Sequence, residues 1–276
     1  MLKAVRDWRR RRILARAAFD EQQWRAVARR FAFVEVLGEE EQAKLRDWVV
    51  LFLHDKSFSA AAGLMLTDEM QLTIATQACI LILGLDLDYY RGWSEIIVYP
   101  AQFVPRHQYT DEAGVVHETA HPHMGEAWLR GPVVLSWDDV AANDMPEGMN
   151  VVIHEFAHKL DMLNGDANGF PPLHADMSRR EWAQTFRSAY EDFCARVDAQ
   201  ENTIIDPYAS ESPGEFFAVL SEVFFELPGV LRDEYPAVYA QLRRFYRQDP
   251  VARLGRPLEA AGVAVSWSTV ARGSHG

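Results

Sequence analysis

His154 and His158 stand four residues apart, with Glu155 directly after the first, in the run VVIHEFAHKLDMLNG at 151–165. On an α-helix, residues at that spacing project from nearly the same face, about 6 Å apart. Both imidazoles can therefore reach one ion, while Glu155, one step around, lies beside it. This is the HExxH arrangement, in which zinc takes the two histidines, a third protein ligand and a water, and the glutamate accepts the water's proton. The trio is set among Val151, Val152, Ile153, Phe156, Ala157 and Leu160. Buried there without partners, each polar group would cost kilocalories, which argues against a chance occurrence. The chain has only two, widely separated cysteines, so a thiolate-rich structural site is excluded. A closed structural zinc would leave Glu155 without a role.

A third ligand must come from another segment. The run SPGEFFAVLSEVFFE at 212–226 offers Glu215 and Glu222 on one helix face. Seven residues separate them by about 10 Å along the axis, so only one can share an ion with a given histidine pair. Glu215 also fits a helix-capping box, with Ser212 before it and Pro213 at the first helical position. Glu222 also fits a carboxylate standing behind a ligand or on the surface. Spacing alone leaves the choice open. Asp161, one turn beyond His158, fits either an acceptor that orients a ligand histidine or a helix-surface carboxylate.

These residues need elements to hold them. Helical spacing predicts helices over 39–55, 67–83, 150–163, 178–198, 213–226 and 234–247, with Asn164 and Gly165 ending the histidine-bearing one. The runs SEIIVYP at 94–100 and GPVVLSW at 131–137 are apolar and β-branched and read as strands. Turn chemistry at 110–114 lies between them, which predicts a small antiparallel sheet over 97–137. The second strand, starting at Gly131, is the expected edge for an extended substrate to pair with. The segment 164–177, rich in Gly, Asn and Pro, reads as a long loop. The fold class is α+β and mostly helical. The expected divisions are a helical region at 1–92, a core at 93–250 and a tail at 251–276.

Composition limits the partners. The chain has 276 residues, 49% of them hydrophobic, enough to bury a sizeable core without staples. Its formal charge of −12 would repel phosphate backbones, which argues against nucleic-acid binding. Cys79 and Cys194 form no disulfide framework, and a reducing, cytoplasmic setting fits best. Neither ILARAAF after the Arg9–Arg12 cluster nor ACILILGL at 78–85 is long enough for a membrane span. The arginine cluster reads as a solvated arm or helix face, with an acidic partner or lipid headgroup as the alternative. His117, His121 and His123 are close enough in sequence for a second metal, but their turn-rich setting reads as an exposed cluster. His174 reads as a loop position that could rim the site, and His275 as part of a disordered Gly/Ser tail.

The motifs HEFAHKLD and YASESPGEFFAVLSEVFFE, with GEAWLRGPVVLSW upstream and FYRQDP near the end, together resemble the Mlc titration factor A family of bacterial zinc metallopeptidases. The resemblance runs from about Trp24 to Pro250. The core is also similar to the catalytic domain of anthrax lethal factor, where a tyrosine precedes the ligand glutamate by seven residues and Phe-Phe-Ala follows it. Tyr208 and Glu215-Phe216-Phe217-Ala218 reproduce that pattern. The resemblance therefore implies a zincin-like fold, one zinc ion held by His154, His158 and Glu215, and Glu155 as general base. With its phenol as donor, Tyr208 is the candidate for stabilising the oxyanion. It further implies an aminopeptidase-like activity on peptide substrates and, for enterobacterial members, binding to the repressor Mlc. The rival reading is a regulatory protein that sequesters a transcriptional repressor, with zinc mainly structural. The enzyme needs Glu155, and the binder does not.

Overall fold

The computed structural model describes residues 2–101, 107–110, 116–119, 125–127, 131–142 and 148–254. The mostly helical chain begins with α1 (Leu2–Leu14), α2 (Glu21–Ala28), α3 (Ala32–Glu35) and α4 (Glu39–Asp55). It continues through β1 (Ser57–Ala60), α5 (Asp68–Leu81) and β2 (Glu95–Tyr99). Four short strands follow: β3 (His107–Thr110), β4 (Val116–Thr119), β5 (Gly125–Ala127) and β6 (Val133–Ser136). The remainder is helical: α6 (Trp137–Ala141), α7 (Val151–Asp161), α8 (Arg179–Asp198), α9 (Pro213–Glu226), α10 (Pro228–Glu234), α11 (Pro236–Tyr246) and α12 (Pro250–Leu254).

The two expected strands are β2 and β6, but they are not antiparallel. The sheet order is β1-β2-β6-β5, with β1 parallel to β2, β2 parallel to β6, and only β5 antiparallel to its neighbour. The segment between β2 and β6 is long enough for the crossover that parallel strands require. It contains an antiparallel β3–β4 pair, separate from the sheet. Every residue of β6 is buried, as expected of a parallel strand covered on both faces. The expected edge at 131–137 is thus an interior strand, and β5 lies outside it. β1, whose SFSA sequence carries little β signal, was not anticipated. It pairs with β2 across residue 92, so one sheet joins the 1–92 and 93–250 segments.

The expected helix at 234–247 begins at Pro236, because the proline cannot continue α10. Helix α7 is held by its own start: Asn150 Oδ1 accepts from Ile153 N at 3.0 Å. Ser212 caps α9 in the same way, with Pro213 at its first position. α7 packs on α5 and α9, and Val152, Ile153, Phe156, Ala157 and Leu160 are fully buried. α7 is therefore a core helix, and its Glu155, His158, Lys159 and Asp161 are buried with it.

Candidate metal centre

α7 and α9 bring the sequence candidates together. Nε2 of His154 lies 3.0 Å from Oε2 of Glu215, Nε2 of His158 lies 3.2 Å from the same oxygen, and the two Nε2 atoms are 3.2 Å apart. A tetrahedral ion bound at about 2.0–2.1 Å spaces its ligand atoms by roughly 3.3 Å, so the triangle has the right size. Two imidazole nitrogens turned toward one carboxylate oxygen also need a proton or cation between them. This donor set fits a metal ion, and among the described residues it is the group of histidines and carboxylates that could hold one.

Glu222 meets the other nitrogen of the same histidine. Its Oε1 accepts from Nδ1 of His154 at 2.7 Å, and its Oε2 accepts from the backbone N–H of Asn150. That contact commits Nδ1–H to Glu222 and leaves the Nε2 lone pair for an ion. Asn150 Nδ2 in turn donates to Gln77 and Glu226, both at 2.7 Å.

Electrostatics follow this packing. Burial lowers the pKa of His154, but its contacts with Glu215 and Glu222 outweigh burial and hold it well above the ordinary value. Burial raises Glu215, and the two histidines overcome it, holding its carboxyl well below the usual range. Burial pushes Glu222 up, and pushes Glu226 up to about 7.

Glu155 is buried on α7, and its charge acts on His154, Lys159 and Tyr208. Tyr208 sits on a 3-10 turn at Pro207–Ser210, its ring 6.1 Å from that of His154, and is 45% exposed. Burial of the remainder and the charges of Glu215 and Glu155 push its phenol up to about 12, so it is a proton donor at neutral pH.

Asp161 occupies neither expected place. It is fully buried, and its Oδ2 accepts from Gly169 N at 2.6 Å. Gly169 has φ +74°, and a Cβ there would lie 2.5 Å from the carbonyl oxygen of Pro213. Gly214 similarly abuts Ala167 O. Asp161 thus clamps the loop after α7 against the first turn of α9, which carries Glu215. Burial pushes its carboxyl up to about 6 against the Gly169 hydrogen bond.

His174 is not at the rim of the site: Nε2 donates to Phe245 O at 2.7 Å, and the ring stacks on Phe245. His121, His123 and His275 lie outside the described residues, as does the side chain of His117. Lys159, unremarked in the sequence, ties α7 to the strand start by donating to Gly131 O at 2.8 Å. Asn150 and Gly169 were also missed. A cap residue and a loop glycine carried the only sequence signals.

A helix-borne histidine pair and a carboxylate from a second helix, with a buried glutamate next to the first histidine, form a group that could hold a metal ion. The chain belongs to the glucose-regulated metallo-peptidase M90 family, whose model matches residues 5–247. It is also 39% identical over 223 residues to Mlc titration factor A of Yersinia pestis (strain Pestoides F), covering 80% of this chain and 82% of the relative. Mlc titration factor A of Yersinia pseudotuberculosis (serotype O:1b, strain IP 31758) shows the same identity and coverage. The resemblance expected from the motifs is therefore correct, and the family implies a metal. No helix among the described residues is long and apolar enough to cross a membrane.

Proposed function

We propose that this protein is a cytoplasmic zinc-dependent peptidase of aminopeptidase-like specificity, with one zinc held by His154, His158 and Glu215. The convergence of two Nε2 atoms and one carboxylate oxygen within 3.2 Å, beside Glu155, carries the reading. Zinc held there would polarise the scissile carbonyl and acidify a water. Glu155 takes the water's proton as general base and returns it to the leaving amine. Tyr208, protonated at neutral pH, donates a hydrogen bond to the oxyanion that develops at the carbonyl. Glu222 keeps His154 in the tautomer that presents Nε2. β5, which flanks β6 at the end of the sheet and packs on α7, replaces 131–137 as the edge for an extended peptide.

The relatives' name supports a second role, binding of a transcriptional repressor protein. The two separate at Glu155. Metal analysis and a panel of amino-acid and peptide nitroanilides, applied to purified wild-type and Glu155→Gln protein, test the first. Zinc near one per chain with hydrolysis lost in the variant supports it, and hydrolysis independent of Glu155 overturns it. A repressor pulled down equally by both proteins would support the binding role.

A further inference from the structure

Helix α1 meets the rest of the chain by one side. That side packs on α4 and carries Arg6 and Arg10, which pair with Asp88 and, for Arg10, also with Asp86. The opposite side is exposed along its length at Ala4, Val5, Trp8, Arg9, Arg11 and Arg12, and the turn that continues the helix adds Arg16. Val5 is 60% and Trp8 54% exposed, so two large apolar side chains one turn apart stand in water. Helical spacing sets Val5, Trp8 and Arg12 in one strip, with Arg9 and Arg11 on its two flanks. The Arg12 guanidinium lies 5.4 Å from the Trp8 ring centroid.

Charge divides the two sides. Arg6 and Arg10 are neutralised by acids, and Asp7, the acid of α1 itself, is half-buried beside Arg6 at 3.8 Å. Arg9, Arg11, Arg12 and Arg16 make no ion pair among the described residues. Four free cations thus border a small apolar strip, in a chain whose net charge is −12. Two apolar side chains are too few for the packed central cluster that anchors a protein interface. A lipid surface asks for less, because single tryptophans settle at headgroup level and each nearby arginine adds its own attraction to anionic lipid. The acidic remainder of the chain would be repelled by the same surface, which confines contact to this face.

We propose that the outer face of α1 docks on an anionic lipid surface, with Trp8 and Val5 at headgroup level and Arg9, Arg11, Arg12 and Arg16 on the lipid phosphates. The contact is peripheral, since no helix among the described residues is long and apolar enough to span a bilayer. The inference does not depend on the peptidase reading.

Cosedimentation of the full-length protein with vesicles tests it, using phosphatidylcholine alone and phosphatidylcholine with one-third phosphatidylglycerol. Binding to the anionic vesicles is expected to exceed binding to the neutral ones by about tenfold or more and to weaken as salt is added. The variant Arg11→Gln/Arg12→Gln/Arg16→Gln, at exposed positions, should weaken it by about tenfold or more. Trp8→Ala should weaken it at constant charge, and Arg187→Gln, an exposed arginine elsewhere, should leave it unchanged. Equal binding to both vesicle types overturns the proposal, as does binding undiminished in the triple variant. Failure to bind vesicles, with arginine-dependent binding of polyglutamate instead, would assign the face to an acidic protein and also overturns it.

Discussion

Nδ1 of His154 lies 2.7 Å from Oε1 of Glu222, while Nε2 of the same ring lies 3.0 Å from Oε2 of Glu215. Two glutamates seven residues apart on α9 thus meet opposite sides of one imidazole. The ring spans the gap that the helical rise opens between them. Only one glutamate faces the second histidine, and the difference can be measured.

Glu215→Gln should lose most bound zinc and all turnover, since an amide oxygen is a poor substitute for the anionic ligand. Glu222→Gln should keep zinc but bind it about 10–100-fold more weakly, because the amide can still accept Nδ1–H while its NH₂ opposes the Asn150 N–H. Zinc content and competition with a chelator, measured on both variants, separate the roles. Loss of metal from the Glu222 variant alone would reverse them.

Glu155→Gln removes a proton acceptor but none of the three proposed ligands. Turnover should fall by at least ~10²-fold with metal content and melting temperature unchanged. A variant with full activity would mean that another group takes the proton.

Gly169→Ala tests the clamp between the two ligand-bearing helices. The left-handed φ of +74° costs a non-glycine residue on the order of 1–3 kcal/mol, before the contact with Pro213 O is relieved. The metal-free variant should melt several degrees lower, and zinc affinity should fall as Glu215 shifts. An unchanged melting curve would show that the loop does not bear on α9.

Glu226 makes stability depend on pH. Burial raises its carboxyl from 4.5 to about 7, so the folded state binds a proton more readily than the unfolded chain between those values. Its contribution is fully present below about pH 4.5 and is lost as pH rises through about 7. Glu226→Gln, which can still accept from Asn150, should be more stable than wild type at pH 8 by on the order of 1–3 kcal/mol. The difference should shrink toward zero by pH 5, as read by denaturant unfolding at both values. An equal difference at the two pH values would exclude this titration.

By itself, the sequence determined the elements with strong local signals. The HEFAH run had to be helical, since its apolar positions recur at helical spacing and Asn164 and Gly165 end it. Ser212 and Pro213 start α9 for equally local reasons. Two histidines and a glutamate on one turn were therefore legible as a metal-binding face. The strands at 95–99 and 133–136 were legible too, but their direction was not. β-branched runs read the same whether parallel or antiparallel, and the crossover decides between them. The tertiary structure alone decided that β6 is interior, because burial on both faces depends on what packs there. It also decided what each carboxylate does. Locally, Glu215 suits capping or ligation, Glu222 suits ligation, support of a ligand or a surface position, and Asp161 suits orienting a histidine or a surface position. Only the packing of α7 against α9 puts one at Nε2, one at Nδ1 and one on Gly169.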